Sequence, residues 1–326
     1  MRNELKVPIS DLPKFLGERQ GAFLCCASFE ERAKSVPASV KSMKFRMVKI
    51  FASTDCSPVI LDTAEEIKSM FFIENSVVLT KMHEPLFTAD TMARVVNELV
   101  KLDIRDVVID ITTFTHEMLL ILLKSLHRFK NRFTKITCIY TGALEYSIGD
   151  PDERKWLSKG CKDIRSVLGF PGRLIPGRPN CLIVLVGFEH ERATRMIVEM
   201  DPDLLLLGRG ISAAQHLTCE SHLAPMLHFH KLVSDMVSSR GSVRSFEFSC
   251  NDSIQTAQSL MAEIDGSRGY NHIIVPLNTK ISTIAIANVA LESREVQICY
   301  AEPETYNFAA YSVPDDVVSV FDIWEQ

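Results

Sequence analysis

Two stretches of this chain carry one signature 160 residues apart. "CCASFEERAKS" occupies 25–35 and "LVGFEHERATR" occupies 185–195, each entered from a short, continuously apolar run. Glu31-Arg32-Ala33 matches Glu191-Arg192-Ala193 at that offset, and Tyr140 and Tyr146 match Tyr300 and Tyr306. Between these anchors Asp106 pairs with His272, so the second copy holds a few inserted residues. The spacing predicts two copies of one fold unit.

The apolar pattern says which unit. In the first half, 21–28, 47–53, 76–82, 106–112 and 135–141 read as strands, with helical spacing over 88–102 and 116–129. In the second half, 181–187, 203–210, 242–250, 272–278 and 295–301 read as strands, with helices through 223–237, 253–264 and 282–293. Runs such as "GAFLCCAS" and "CLIVLVG" lack polar alternation, which marks strands covered on both faces. Strands alternating with helices imply βαβ units and a mainly parallel sheet. The expected fold is therefore α/β: two tandem Rossmann-like domains, each a mainly parallel sheet of about five strands flanked by helices. The expected boundaries are 1–148 for the first domain and 181–326 for the second with its tail. Between them, 149–180 reads as a basic, Gly/Pro-rich linker with a short helix. In the tail, Trp324 caps the core or docks a partner.

Composition narrows the class. A length of 326 residues suits two ordinary domains. Apolar residues make up 46% and charged residues 24%, the balance of a globular rather than a disordered chain. The apolar runs are too short to cross a bilayer and the first fifteen residues hold no apolar signal core, so a cytoplasmic location without membrane contact is expected. Nine cysteines without a CxxC read as buried, reduced thiols. The net charge of −5 argues against a general nucleic-acid binder. From Lys124 to Arg178, however, twelve Lys/Arg stand against five Asp/Glu. That stretch is either a solvated helix and linker or a surface for phosphates or an acidic partner, and nucleic acid is expected only there.

In open α/β sheets, ligands sit beyond the carboxyl ends of the strands, where helix N-termini favour anions. Three pairs of loops qualify. After the first strands come Ser28, Glu30 and Arg32, and Glu189 and Arg192. After the fourth come Asp110, Thr112, Thr113 and Thr115, and Asn278, Thr279 and Lys280. After the fifth come Tyr146 and Tyr306. Hydroxyls and a lysine at a helix start suit phosphate or ribose, although threonine, asparagine and serine there also serve as plain caps. The Glu/Arg groups suit phosphate and ribose recognition, general-base chemistry, or an intrahelical ion network or interdomain salt bridge. "GRGISA" (208–213) follows a second strand rather than a first, which weakens it as a dinucleotide fingerprint. His216, Cys219 and His222 are spaced for metal ligands on one helix face, but no second cluster completes the set, so no metal and no cofactor is expected. There is no Gly-x-Ser-x-Gly, P-loop or His-Glu-x-x-His, and catalytic residues cannot be named from motifs.

"VVIDITTFTHEMLLILL", "IIVPLNTKISTIAIA" and "CIYTGALEY" resemble elements of the CRISPR-associated Rossmann-fold (CARF) nucleotide sensors, over some forty residues in each half. The resemblance implies a ligand-sensing or regulatory subunit of a prokaryotic, antiviral defence system, working within a larger protein complex. A nucleotide-like anion or partner protein would be held in an inter-domain cleft, with charge from Arg32, Arg192 and Lys280. Two other classes stay open: a nucleotide- or nucleoside-processing enzyme using Glu30, Asp110 or Glu189 as acid or base, and a non-catalytic scaffold.

Overall fold

The structure is a computed structural model and describes residues 4–18, 21–71, 73, 76–151, 154–211, 220–237 and 242–324. In chain order the elements begin with β1 (Leu5–Pro8), α1 (Leu12–Leu16), β2 (Ala22–Cys26), α2 (Arg32–Val40), β3 (Met47–Ser53) and α3 (Pro58–Phe71). They continue through β4 (Val77–Thr80), α4 (Pro85–Lys101), β5 (Asp106–Asp110), α5 (His116–His127) and β6 (Lys135–Tyr146). Next come β7 (Ser158–Lys159), β8 (Asp163–Pro171), β9 (Asn180–Val186), α6 (His190–Met200) and β10 (Leu204–Ile211). The remainder is α7 (Glu220–Val237), β11 (Ser242–Ser249), α8 (Ser253–Asp265), β12 (Asn271–Pro276), α9 (Lys280–Glu292), β13 (Gln297–Glu302), β14 (Thr305–Tyr306) and β15 (Ser312–Ile323).

The chain divides into two compact units, Met1–Leu144 with Ser312–Gln326, and Glu145–Tyr311. Both are Rossmann-like α/β folds. The first holds a seven-stranded sheet in the order β1-β15-β6-β5-β2-β3-β4, in which the β4-β3-β2-β5-β6 portion is parallel. The second holds a six-stranded sheet in the order β11-β10-β9-β12-β13-β8, parallel from β11 to β13. Numbered within each copy, both parallel sets run 3-2-1-4-5. Helix pairing repeats as well: α2 packs on α3 and α4 on α5, then α6 on α7 and α8 on α9.

The central strands are where the continuous apolar runs placed them. Every residue of β2 and β12 is buried, as is every residue of β9 after Asn180. Two of the buried clusters lie one in each unit. One gathers Phe23, Ile50, Ile67, Val108 and Ile139 with Val318 and Val320 of β15, and the other gathers Val184, Met196, Leu207, Val233, Val275 and Cys299. Helices α5 and α9 are apolar nearly all round and buried over most of their length, the expected fate of a helix without a polar face. At roughly 1.5–3 kcal/mol for each large side chain buried, these strands and helices supply most of the force that closes each unit.

The edges differ from the sequence expectation. Residues 158–171, read as linker, form β7 and β8, and no α-helix lies among the described residues of 149–180. Strand β8 runs antiparallel to β13 through an irregular register. Its exposed and half-buried pattern hides it from any search for apolar runs. The tail does not belong to the second unit. β15 lies between β1 and β6 in the first sheet, pairing antiparallel with β1 and fastened by Thr137 to Asp322 at 2.6 Å and Lys6 to Ser319 at 2.6 Å. Trp324 closes this sheet edge-on against His127, with centroids 5.2 Å apart. Among the described residues, no helix is long and apolar enough to cross a membrane.

Because β15 fills the gap between two strands of the first sheet, a chain ending at Tyr311 loses an internal strand of one unit only. Hydrogen exchange of that truncated chain is expected to show protection retained in β9, β10 and β12 and lost in β1 and β6; equal loss in both units would contradict the placement.

Candidate functional site

Each unit builds its strand ends around one buried arginine. In the first, Arg32 opens α2 and is 4% exposed. Its Nε and Nη2 donate to Glu30 Oε2 at 2.9 and 2.6 Å, Nε also to Ser312 Oγ at 3.0 Å, and Nη1 to the Thr141 carbonyl at 3.1 Å. Ser312 Oγ closes the ring by donating to Glu30 Oε2 at 2.9 Å. In the second, Arg192 is 3% exposed, pairs with Glu189 at 3.1 Å, and donates through Nε to the Ala301 carbonyl at 2.8 Å. Its guanidinium lies 5.4 Å from the Tyr300 ring centroid, and Ser158 Oγ donates to Glu189.

Arg32 to Thr141 and Arg192 to Ala301 are the same bond, donor and acceptor each displaced by 160. The carboxylate is displaced by 159, so the acid reaches its arginine from i−2 in one unit and from i−3 in the other. Burial works against the Arg192 charge, but Glu189, Tyr300 and Tyr306 more than offset it, and its pKa is raised. Neither guanidinium stands ready for a ligand, since each is enclosed and bonded within its own unit. Each group is an ion network tying a helix start to distant strands of its own unit, where the sequence offered one confined to a helix or running between domains.

The fourth-strand loops divide by role. Thr115 is the N-cap of α5, accepting from the Met118 N–H at 3.1 Å, and Thr279 is the N-cap of α9, accepting from Ser282 at 3.2 Å. Thr113 Oγ1 donates to the Cys26 carbonyl at 2.5 Å, and Asn278 Nδ2 donates to the Val186 carbonyl at 2.8 Å. Cys26 and Val186 end the first strand of each copy, so both switch-point crevices are bridged by a side chain from the fourth-strand loop. Thr279 Oγ1 reaches the Cys250 carbonyl at 2.7 Å. Lys280 is the first residue of α9 and half-buried.

The copies part company at Asp110. Register sets Ala22 beside Val107 and Leu182 beside Ile273, so Asp110 corresponds to Pro276. The acid exists in one unit only. It is 2% exposed, accepts from the Thr112 N–H at 3.1 Å and from the Thr112 hydroxyl, and that hydroxyl accepts from the Thr141 N–H at 3.0 Å. Burial pushes its carboxyl up to about 7, against the opposing pull of the Thr112 bonds and Arg32. Burial and the neighbouring Asp110 in turn push the Cys25 thiol up.

The remaining candidates are packing groups. Ser28 is buried and accepts from the Glu30 N–H at 3.4 Å. Tyr146 packs 5.2 Å from Phe188, and Tyr306, in the small β7–β14 ladder, lies 6.1 Å from Phe308. Gly210 of "GRGISA" lies in β10 with its Cα against the Cys250 sulfur, where a methyl group would collide. His216 and Cys219, and the side chain of His222, lie outside the described residues; among those described, no group of three His, Cys, Asp or Glu could hold a metal. Sequence reasoning missed Ser158 and Ser312, which complete the ion networks from distant strands. It also missed Asp55, which receives the Met82 and His83 N–H groups at 2.7 and 2.9 Å. Burial opposes ionisation of Asp55, yet bonds from Ser53, His83 and Met82 hold its pKa below the usual range. A groove of about 470 Å³, lined by Leu5, Lys6, Asp11, Lys14 and Phe15 among others, lies at β1 and α1 and touches none of the strand-end candidates.

No family model matches the chain, and no curated protein matches it. Among solved structures it is similar to the UDP-GlcNAc 2-epimerase from Neisseria meningitidis bound to UDP-GlcNAc, at 10% identity over 78% of this chain and 76% of that one, with a TM-score of 0.25. It is also similar to a short-chain type dehydrogenase/reductase from Mycobacterium ulcerans, at 12% identity over 91% and 92%, with a TM-score of 0.22. Likenesses at this level carry no argument about activity.

Two outcomes test the site. Unfolded aspartate ionises near pH ~4, so between about pH 4 and about 7 the unfolded chain releases a proton that folded Asp110 retains. Stability then falls as pH rises across that window. Asp110→Asn is expected to flatten this fall, as read by denaturant unfolding at several pH values. Glu189→Ala strands the Arg192 charge and is expected to cost about 3–5 kcal/mol, with partial recovery in Glu189→Ala/Arg192→Met.

Proposed function

We propose that the chain is a non-catalytic, ligand-sensing or regulatory subunit whose strand ends bind a nucleotide-like anion or a partner protein. One observation carries this reading. The acids that could act as general bases, Glu30 and Glu189, are each committed to a buried arginine and a serine inside their own unit. A base must reach a substrate proton, and these side chains are only 8% and 9% exposed and turned to an arginine, which supports binding over turnover. Asn278, Thr279 and Lys280, half-buried at the start of α9 as Thr113 and Thr115 are at α5, are partly open to a ligand at the strand ends. A place in a prokaryotic defence complex rests on the resemblance to CARF sensors.

A second reading has its own support. Asp110, with its carboxyl near neutrality, has the proton affinity that suits an acid–base catalyst in a nucleotide-processing enzyme. Thermal-shift screening with mononucleotides and cyclic oligonucleotides, paired with product analysis, separates the two. A raised melting midpoint without product, reduced by Lys280→Ala, is the expected result. Turnover abolished by Asp110→Asn or Glu30→Gln would replace sensing with catalysis.

A further inference from the structure

The basic stretch 124–178 does not act as one surface. In its second part Lys155 is buried on the Tyr146 carbonyl at 2.8 Å, Lys162 pairs with Glu302 at 3.6 Å, and Arg165 pairs with Asp163 and Glu302. Its first part is different. "HRFKNRFTK" (127–135) contains no acid, and it turns from the end of α5 into β6 with Arg128, Lys130 and Arg132 all exposed. Lys124 and Arg105 are exposed beside it, and Lys135 is 39% exposed by side chain.

The group is held together by its backbone. The Arg105 carbonyl receives the Thr134 and Lys135 N–H groups at 2.8 and 3.2 Å, so the loop before β5 and the loop before β6 form one shelf. Among the described residues, three carboxylates stand near these six cations. Asp103 meets Arg105 at 3.0 Å and Arg132 at 3.6 Å, Asp322 meets Lys135 at 3.1 Å, and Asp106 sits opposite Lys135 in the ladder. Cations remain in excess. Half-buried Phe129 lies with its ring 5.4 Å from the Arg128 guanidinium, and exposed Asn131 and Thr134 add neutral donors. The local field is positive enough for Lys130 and Lys124 to join burial in lowering the His127 pKa. The helix C-terminus accounts for one or two of these charges, but not for those beyond α5.

We propose that this shelf at the amino ends of β5 and β6 is a docking surface for the phosphate backbone of single-stranded nucleic acid. Alternating cations track successive phosphates, amide and hydroxyl donors position them, and an aromatic ring beside an arginine offers a base a stacking face. An acidic protein would use the charges and pack on the ring without stacking a base, so competition by polyglutamate separates the two. The surface lies at the opposite ends of the strands from the candidates around Arg32 and Asp110, so it adds a second contact to the subunit and does not rest on the function proposed above.

Fluorescence anisotropy of the full chain with labelled oligonucleotides of about twenty nucleotides, single-stranded and duplex, tests it across about 50–200 mM salt. Binding is expected to favour the single strand and to weaken with salt. The expected log–log slope is about −3, from roughly −0.7 for each of four phosphates neutralised. Lys130→Ala/Arg132→Ala is expected to weaken binding at least about tenfold and to flatten the slope by about 1.4. Lys124→Ala/Arg128→Ala, which leaves the Asp103 pairs intact, serves the same purpose if the first variant misfolds. Lys231→Ala/Arg268→Ala, exposed charges of the other unit, is expected to change neither. Salt-independent binding, equal loss in the control variant, or equal competition by polyglutamate would overturn the proposal.

Discussion

A guanidinium donating to a main-chain carbonyl of the fifth strand fixes the carboxyl end of each sheet. Arg32 holds Thr141 and Arg192 holds Ala301, and both bonds join the first helix of a unit to its last parallel strand. A cation sealed from water at these depths is tolerable only if it is fully bonded. That requirement dictates the surroundings. A glutamate must stand within reach, a serine must be brought from a distant strand, and the loops between must follow paths that deliver them. Ser312 in one unit and Ser158 in the other answer the same need from opposite directions along the chain.

The inner architecture was legible in the sequence because it rests on a pattern that burial on two faces enforces. Apolar patterning located all ten parallel strands, most plainly the continuous runs of β2 and β9, and the Glu-Arg-Ala echo located the shared arginine. The edges were not legible. Strands β1 and β8 have one open side, β15 is internal but long, and all three mix charged with apolar residues, so no period stands out. Nor could periodicity show that 312–326 crosses back into the first sheet, since pairing between distant segments leaves no local trace. The candidate residues lie at the strand ends, but their roles were not separable. Thr115 and Thr279 cap helices, Thr113 and Asn278 bridge strands, and the arginines face inward; composition at a strand end is the same in each case.

The two copies keep the frame and differ in its chemistry. Where one has Asp110, a buried acid poised near neutrality, the other has Pro276, with neither charge nor N–H. Where one has Thr112 and Thr113, the other has Asn278 and Thr279, followed at once by Lys280. Repetition therefore preserves the bonds that position the loops while their exposed chemistry varies, as is usual where a rigid scaffold carries variable loops.

The insertion of β15 between β1 and β6 also orders events at the ribosome. Residues 145–311 are contiguous, so the second unit holds all its strands in one run of chain. The earlier-made unit keeps a gap in its sheet until residues 312–323, which follow the whole of the other unit, have been made. Until then its vacant strand position is a place where a chaperone, or a neighbouring nascent chain, could pair.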